Sequence, residues 1–484
     1  MSEQFTVRPD TITKSSIISG RVSLSPSDYR SLKKPVAVKR LSELVIEHKT
    51  GREIGSDAYM PYSSYRFLKT VNINESYILD ETKIEFCKPC KGIVKPKSGS
   101  ILVAKDGGGQ GLGECCIYDA QKGVSDYISA GVLCLEFAED QLRNYVLGIL
   151  KTKHFKEFID GVTPGGSTIR HSKLLTLDYE VPWSVDAIKR QGISDIVSNL
   201  IDKERQIASK NKIIDQLITD ELATGINNGV PKTGLPTRLE ILAGTRLDAG
   251  IYTELVRDTD RLITNYKGGF FHIPDFFKSN RGQNLQVTSI GESYYSDTMK
   301  NGFYRLFTNV EMTDMRTITG FRWLGNKNKL TTLPKDCVML AADGMIVGRS
   351  FFFDAMPNTI TNIHPWVITA KDKTQPRYKS VFLSVFLSYL KNIGYLEKIK
   401  DKSNGGGLKK HHVEKQIKIP TFADNIQERI ASYYYNNVNP LGIAATLPEQ
   451  LKRNAEIGIF QLNMEVLSLQ GLLANSVKDI ILNG

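Results

Sequence analysis

The chain has 484 residues, with 63 Lys and Arg against 52 Asp and Glu, giving a formal net charge of +11. At about 100–200 residues per domain, this length predicts several domains, and 41% hydrophobic and 24% charged residues exclude a disordered or collagen-like chain. No apolar run approaches the roughly 18 residues of a membrane span, and residues 1–16 lack the apolar core of a secretory signal. Six cysteines are too few for a disulfide scaffold, so we expect a reduced, cytoplasmic protein. The positive charge favours polyanionic partners such as nucleic acid.

In the first half of the chain, two apolar runs of strand type flank an Asp-Gly turn. SILVAKD at 100–106 breaks at Gly107, and ECCIYD follows at 114–119. A Gly-rich block at 165–171 comes next. The alternating segment 174–182 after it ends in a proline and predicts a further strand.

A long amphipathic helix is predicted over 184–221, with Thr224-Gly225 as its stop signal. Apolar residues recur in it every seven residues, and Ile196 and Leu217 stand three residues after two of them. These predicted seam residues are Ile193, Leu200, Ile207 and Ile214.

The second half repeats these landmarks in the same order. CVMLAAD at 337–343 breaks into an Asp-Gly turn 237 residues after the first one, and RSFFFD follows at 349–354. A Gly-rich block at 405–411 lies 240 residues after its counterpart, and the alternating segment 413–420 again ends in a proline. Three landmarks at nearly one offset predict a duplicated architecture rather than a solenoid, whose period would be far shorter.

Helical patterns also close the second half. Residues 425–437 are predicted to begin a helix that Pro440 and Pro448 interrupt. The helical pattern resumes over 451–482, with Leu462 and Leu469 on its apolar face. The predicted seam residues here are Ile459, Val466, Leu473 and Ile480.

We therefore predict an α+β protein in which a mixed domain followed by a long helix occurs twice, as a pseudo-two-fold internal repeat. The boundaries that this pattern predicts are 1–183 for the first domain, 184–225 for the central helix, 226–421 for the second domain and 422–484 for the C-terminal helix. Apolar seams with a spacing near 3.5 residues need a partner, and the two helices could pair as antiparallel coils. Burial in an ordinary core, or homodimerisation, would explain the same seams.

The order of these motifs resembles the specificity subunit of type I restriction–modification systems over nearly the whole chain. The segments that carry the resemblance are GSILVAKDGGGQGLG and DCVMLAADGMIVG, then GGSTIRHSKLLTLDYEVP and GGGLKKHHVEKQIKIP, each leading into its helix. Two features depart from the family pattern. The first ~30 residues look like an extension, and 421–450 is more broken by proline than is usual.

The resemblance implies two target-recognition domains separated by two antiparallel helices, with each domain reading one half of a bipartite site in double-stranded DNA. It implies that the helices set the spacer and dock two methyltransferase subunits that modify adenine, and that two restriction subunits could join them. It also implies a chain without catalysis and without a cofactor of its own, since S-adenosylmethionine, Mg and ATP would bind to the partner subunits.

Basic residues near the duplicated turns and loops are candidates for DNA contact, because Lys and Arg anchor phosphates. An aromatic residue among basic ones in TGFRWLGNKNK at 319–329 marks a further cluster. The alternatives are solvated turns and contacts with a methyltransferase subunit. The candidates are Lys105, Arg170, His171, Lys173, Arg322, Lys327, Lys329, Arg349, Lys409, Lys410, His411 and His412.

Other chemistry is weakly indicated. The glycines of 107–113 fit no GxxxxGK[ST] or GxGxxG register, and the second half keeps few of them. Cys87 and Cys90 form one CxxC pair that the repeat does not preserve, so we predict no metal site. We predict no active site either. Two hypotheses of other classes stay open: a coiled-coil scaffold without sequence-specific DNA binding, and an enzyme that uses the glycine loop or the CxxC pair.

Overall fold

A computed structural model describes residues 6–7, 11, 31–32, 35–108, 111–163, 170–226, 236–238, 241, 249–401, 406–438 and 446–483. Most of the predicted N-terminal extension and parts of the Gly-rich loops (109–110, 165–169 and 405) lie outside these residues. Within the described residues, no helix has the length and apolar character that crossing a membrane requires.

The chain folds into two compact units. The first unit holds the described residues of Glu3–Arg205 together with Val466–Gly484, and the second unit holds Gln206–Glu465. Each unit thus includes part of both long helical segments, while the domain boundaries drawn from the sequence remain predictions.

Strands and short helices alternate up to the long central helix. The elements are β1 (Thr6–Val7), β2 (Ser31–Leu32), β3 (Val38–Arg40), α1 (Leu41–Leu44), β4 (Glu47–Thr50), β5 (Tyr59–Met60), β6 (Tyr65–Leu68), β7 (Glu85–Cys87), β8 (Ile101–Ala104), β9 (Asp106–Gly107), β10 (Cys115–Ile117), β11 (Ser125–Ile128), β12 (Val132–Glu136), α2 (Asp140–Leu150), α3 (Lys153–Val162), β13 (Arg170–His171), β14 (Glu180–Pro182) and α4 (Ala187–Thr224).

The remaining elements follow α4 along the chain. They are α5 (Glu254–Thr264), β15 (Phe270–His272), α6 (Ile273–Phe276), β16 (Phe277–Arg281), α7 (Val287–Ile290), β17 (Ser293–Ser296), β18 (Tyr304–Leu306), β19 (Arg322–Asn326), β20 (Cys337–Ala341), β21 (Ser350–Phe353), β22 (Thr359–Ile360), β23 (Pro365–Ala370), α8 (Arg377–Asn392), α9 (Tyr395–Ile399), β24 (Lys418–Pro420), α10 (Asp424–Tyr434), α11 (Leu447–Glu456) and α12 (Ile459–Asn483).

The two units repeat one sheet topology. An antiparallel sheet runs β10-β8-β12-β4 in the first unit and β21-β20-β23-β16 in the second. A second sheet runs β11-β6-β7-β5 and β22-β18-β19-β17, with one parallel pair at the same place in each. A third pairing joins β14 to β3 and β24 to β15. The predicted α+β class and the duplication are therefore confirmed strand by strand.

The apolar runs on either side of the Asp-Gly turns form the strands that the sequence predicts. All residues of β8 and of β20 are buried, because each strand lies inside its sheet with both faces covered. In the first unit, Leu102 and Cys134 of the first sheet pack against Leu68 and Ile128 of the second sheet. The helix α2 packs against β10, so the layers are helix, sheet and sheet.

Two of the predicted strands are extended only in their last residues. Residues 174–182 begin with a 3₁₀ turn over Leu175–Asp178, and only Glu180–Pro182 is extended. Likewise His412–Gln416 forms a short π-helical turn before β24. An alternating pattern over so few residues is compatible with a helical turn, and the turn at 175–178 buries Thr176 and Leu177.

The long central helix ends at Thr224 as predicted, and Gly225 follows where a Cβ would lie 2.1 Å from the Tyr266 ring. The predicted helix 451–482 is instead two helices, α11 and α12, divided at Gly458. A Cβ on Gly458 would lie 2.5 Å from the backbone nitrogen of Asn436, so only glycine fits this close approach. Pro448 does not interrupt a helix but lies in the first turn of α11.

All eight predicted seam residues are buried. The companion positions differ from the prediction, because Val197 and Ile218 are buried whereas Ile196 and Leu217 are only half-buried. Within the first unit, Lys189 of α4 forms a 3.0 Å ion pair with Asp479 of α12. Further along, a Cβ on Gly148 of α2 would lie within 3.3 Å of Ile193, Val197 and Leu473. In this unit the two helical segments therefore run antiparallel.

Candidate nucleic-acid interface

In the first unit, two motifs that lie far apart in the sequence meet at the Asp-Gly turn. The strands β9 and β13 pair, with Arg170 opposite Gly107 and His171 opposite Asp106. The backbone nitrogen of Ser172 donates to the carbonyl of Lys105 over 2.8 Å. This brings four of the candidate residues to one corner of the unit: Lys105, Arg170, His171 and Lys173.

The side chains at this first corner differ in their burial and in their ion pairs. Lys105 is mostly buried, 3.8 Å from an oxygen of Asp106, and His171 is exposed with Nδ1 3.0 Å from the other oxygen. Arg170 donates to Oδ1 of Asp160 over 2.9 Å. Lys173 is exposed and has φ +51°, in the left-handed region that few side chains adopt.

The second unit builds the equivalent corner from different side chains. Asp343 bridges to Gly407, and Leu408 donates to the carbonyl of Ala342 over 2.8 Å. Nη1 of Arg281 and Nδ1 of His364 each lie 3.3 Å from Oδ2 of Asp343. Arg281 also stacks over the ring of Trp366, with 4.4 Å from its guanidinium carbon to the centroid. Sequence reasoning missed Arg281 and His364, because only the fold brings β16 and the start of β23 to this turn.

The basic run after Gly407 is divided between surface and core. Lys409 and Lys410 keep 61% and 72% of their side chains exposed, although Nζ of Lys409 lies 2.7 Å from Asp401. His411 is exposed. His412 is fully buried, so we correct its prediction: a side chain with no exposed surface cannot contact a phosphate directly.

Asp401, His411 and His412 place three potential metal-ligand atoms within 4.8 Å of one another, whereas the sequence predicted no metal site. The backbone N–H of Lys409 donates to Nδ1 of His412 over 2.9 Å, so the proton of the neutral ring lies on Nε2. That Nε2 atom is 3.4 Å from Asp401 and does not offer a lone pair. The arrangement therefore favours an Asp–His contact over a metal ion.

The remaining predicted DNA-binding residues lie elsewhere in the second unit. Arg322 donates to Glu311 over 2.9 Å, while Lys327 and Lys329 are exposed after β19. Arg349 forms two 2.9 Å hydrogen bonds with Asp314. Burial opposes the charge of Asp314, but Arg349 and Lys391 outweigh it and lower its pKa to about 2. Arg349 therefore holds the loop that contains Asp314.

The structure gives little support for a phosphate-binding loop at the glycines or for a reactive cysteine pair. A strand, β10, follows the glycine loop, in contrast to the helix of a phosphate-binding loop. All six cysteines are free thiols, and burial together with Cys90 raises the pKa of Cys87 to about 11. Such a thiol is a poor nucleophile at neutral pH.

Polar side chains in the seam of α4 tie the helix to each unit, which sequence reasoning also missed. Glu204 accepts hydrogen bonds of 2.6 Å from Ser76 Oγ and the backbone nitrogen of Tyr77 in the first unit. In the second unit, Arg316 is buried and donates to Asn211 and Asp215. Each set of contacts holds the part of α4 that belongs to its own unit against a loop of that unit.

Two copies of one α+β topology, each with a polar corner at an Asp-Gly turn, define this protein as a tandem duplication. No family model and no curated protein matches the chain. Among solved structures, it is similar to the S subunit of a type I restriction–modification system from M. genitalium, with 12% identity, 93% of this chain and 96% of that chain covered, and a TM-score of 0.43.

Two further solved structures are similar at lower TM-scores. One is described as showing complex assembly and conformational transition of the type I R-M system, with 13% identity, 93% and 99% coverage and a TM-score of 0.29. The other is the HsdS subunit from Thermoanaerobacter tengcongensis, with 12% identity, 92% and 96% coverage and a TM-score of 0.27. The function proposed below depends on this chain's own residues and topology.

Proposed function

We propose that this chain is the DNA sequence-recognition subunit of a type I restriction–modification complex. The observation that carries the proposal is the strand-by-strand duplication of one domain, because a protein that reads a bipartite site needs two reading heads of one kind on a single duplex. The order of sequence motifs, which resembles that family along the chain, supports the same function.

The charge at the two corners suits this role. Exposed Lys173 follows the turn of the first unit, and exposed Lys409 and Lys410 follow that of the second. Lysines with largely exposed side chains anchor phosphates without reading sequence. The chain's net charge of +11 acts in the same direction by attracting the duplex.

In the finer form of this proposal, each domain reads one half-site and the chain docks two methyltransferase subunits, with restriction subunits able to join. The chain itself performs no catalysis, and S-adenosylmethionine, Mg and ATP bind to the partners. Val185 precedes α4 and is 83% exposed, and Ile188 in the first turn of α4 is 81% exposed. Apolar side chains presented in this way suit a partner subunit.

The test is the binding of the full chain, assembled with its methyltransferase, to duplex DNA over a range of salt concentrations. A sequence reader loses affinity steeply as salt rises but keeps its preference for one bipartite sequence. The alternative function, a coiled-coil scaffold, would show neither property. Equal binding to all duplexes at every salt concentration would also contradict the proposal.

The proposal includes a ruler role for the helices. One heptad inserted into α4 adds roughly 10 Å of helix. We expect the tolerated spacer to lengthen with both half-site sequences unchanged, or assembly to be lost. An unaltered spacer in an assembled complex would contradict the ruler.

A further inference from the structure

The duplicated second sheets carry an arginine at the same position, and this pair differs in its surroundings. Arg66 lies on β6 and Arg305 on β18, and each follows a tyrosine. The strand register places Asp126 opposite Arg66 across the parallel pair, and Thr359 opposite Arg305. One copy therefore has a carboxylate where the other has a hydroxyl.

Arg66 is neutralised within the fold. Its Nε and Nη2 atoms each donate to an oxygen of Asp126 over 2.6 Å, and Nη1 donates to Glu81 over 3.0 Å. Burial opposes its charge, but the two carboxylates outweigh burial and raise the pKa of Arg66 above its ordinary value. Arg66 is thus a buried structural ion pair that leaves little surface for a ligand.

Arg305 is half-buried, and no carboxylate of the described residues forms an ion pair with it. Its guanidinium carbon lies 4.8 Å from the ring centroid of Phe321 and 5.5 Å from that of Trp323. Its Nε atom is buried and has no hydrogen-bond partner among the described residues. Burial lowers the pKa of Arg305.

The acidic residues of the segment 307–321, which ends at Phe321, have other partners. Asp314, the one acidic residue of 312–321, binds Arg349 and Lys391. Glu311 accepts from Arg322 and from the backbone of Thr308. The hydroxyl of Thr359 donates to the carbonyl of Met356 over 3.0 Å. The fold therefore holds a partly desolvated guanidinium over two aromatic rings, and these described acceptors are used by other groups.

A partly desolvated cation without acceptors costs free energy until a ligand supplies them. A planar guanidinium held over aromatic rings suits a flat pair of acceptors better than a mobile ammonium does. In duplex DNA the O6 and N7 atoms of guanine form such a pair in the major groove, and arginine is their usual partner. Exposed Lys327 and Lys329, on the loop after β19, can contact phosphates around such a base.

We propose that Arg305 is a specificity-determining residue that reads a guanine in the half-site bound by the second unit. This inference rests on the proposed function and adds a named residue and a named base to it. Arg66, at the equivalent position, has a structural role, so the two half-sites are read by non-equivalent residues of one fold.

The test selects duplexes from a randomised pool with the assembled complex, using wild type, Arg305→Ala and Arg305→Lys. Lys335→Gln, at an exposed site between β19 and β20, is the matched charge control. We expect Arg305→Ala to lose the preference at one guanine of one half-site, with a loss of roughly 5- to 150-fold on the best wild-type sequence. Arg305→Lys should keep the fold but not restore that preference, because an ammonium lacks the rigid planar pair of donors that a guanidinium presents, and Lys335→Gln should retain it.

Three results would overturn the inference. A loss that is equal on all sequences, with a shallower salt dependence, would make Arg305 a phosphate contact. A guanine preference that survives in both Arg305 variants would remove the residue from the interface. If the wild-type complex selects no sequence, the proposed function itself fails, and the role of Arg305 fails with it.

Discussion

In the first unit Arg66 lies against two carboxylates, whereas Arg305, at the equivalent position of the second unit, lies against two aromatic rings. The Asp-Gly corners differ in the same way. Asp106 contacts Lys105, its neighbour in the chain, and His171 on the paired strand β13. Asp343 instead contacts Arg281 of β16 and His364, which precedes β23.

This comparison separates what the duplication preserved from what it changed. The two copies keep the strand order, the parallel pair and the buried central strands, which the shared core requires. They differ in the charged side chains at sheet surfaces and corners. Residues that read different half-sites should lie where the copies diverge, and residues that build the domain should lie where they agree.

The largest expected effect is on the free energy of unfolding, and it distinguishes Arg66 from Arg305. Arg66→Ala leaves Asp126 buried and without its main partner, which should lower the free energy of unfolding by about 3–5 kcal/mol. Arg305→Ala removes no ion pair with a described residue and should change it by about 1 kcal/mol or less. Urea unfolding of the full chain measures both. Equal destabilisation by the two substitutions would show that the positions are not functionally distinct.

A smaller effect concerns phosphate contacts at the two corners. Each lost phosphate contact reduces the slope of log affinity against log salt by about 0.9. Lys409→Gln with Lys410→Gln should therefore reduce the slope about twice as much as Lys173→Gln in the first unit, and both should weaken binding to all sequences alike. Lys212→Gln, on the exposed surface of α4, is the control. A slope that is unchanged in the double variant would place Lys409 and Lys410 outside the interface.

The smallest expected effect tests how α4 is held in the first unit. Burial raises the pKa of Glu204 although Ser76 and Tyr77 donate hydrogen bonds to it. The folded state thus keeps a proton that the unfolded chain has already released, so stability is greatest below the ordinary pKa of glutamate and falls as pH rises through the raised value.

Glu204→Gln should remove this part of the pH dependence, whereas Glu43→Gln, at an exposed site of α1, should retain it. Unfolding free energies of the three proteins, measured from pH 4 to pH 7, provide the comparison. Parallel curves for wild type and Glu204→Gln would contradict a raised pKa at this carboxyl.

The sequence predicted features that local pattern controls. Continuous apolar runs that end in Asp-Gly identified β8 and β20, and Thr224-Gly225 identified the end of α4. The near-constant offset of these landmarks predicted the duplication. The second sheets were not predicted, because their strands have two to five residues and mix polar with apolar side chains.

The candidate site was predicted only in part, because motif order can be read from the sequence but strand pairing cannot. Arg170 and His171 were predicted as DNA contacts on the Gly-rich loop, and the structure joins them to the Asp-Gly turn through β9 and β13. The contacts of Arg281 and His364 with Asp343, and the placement of Thr359 rather than a carboxylate opposite Arg305, depend on strand pairing and register. A single sequence does not contain that information.

The most direct test of the central claim is to replace residues 51–183 with those of a relative that has another target, and to select duplexes bound by the assembled hybrid. The account predicts that one half-site changes while the other half-site and the spacer stay as in the parent. A hybrid that changes both half-sites, or that selects one unbroken sequence, would contradict the claim that two copies of one domain each grip their own stretch of DNA.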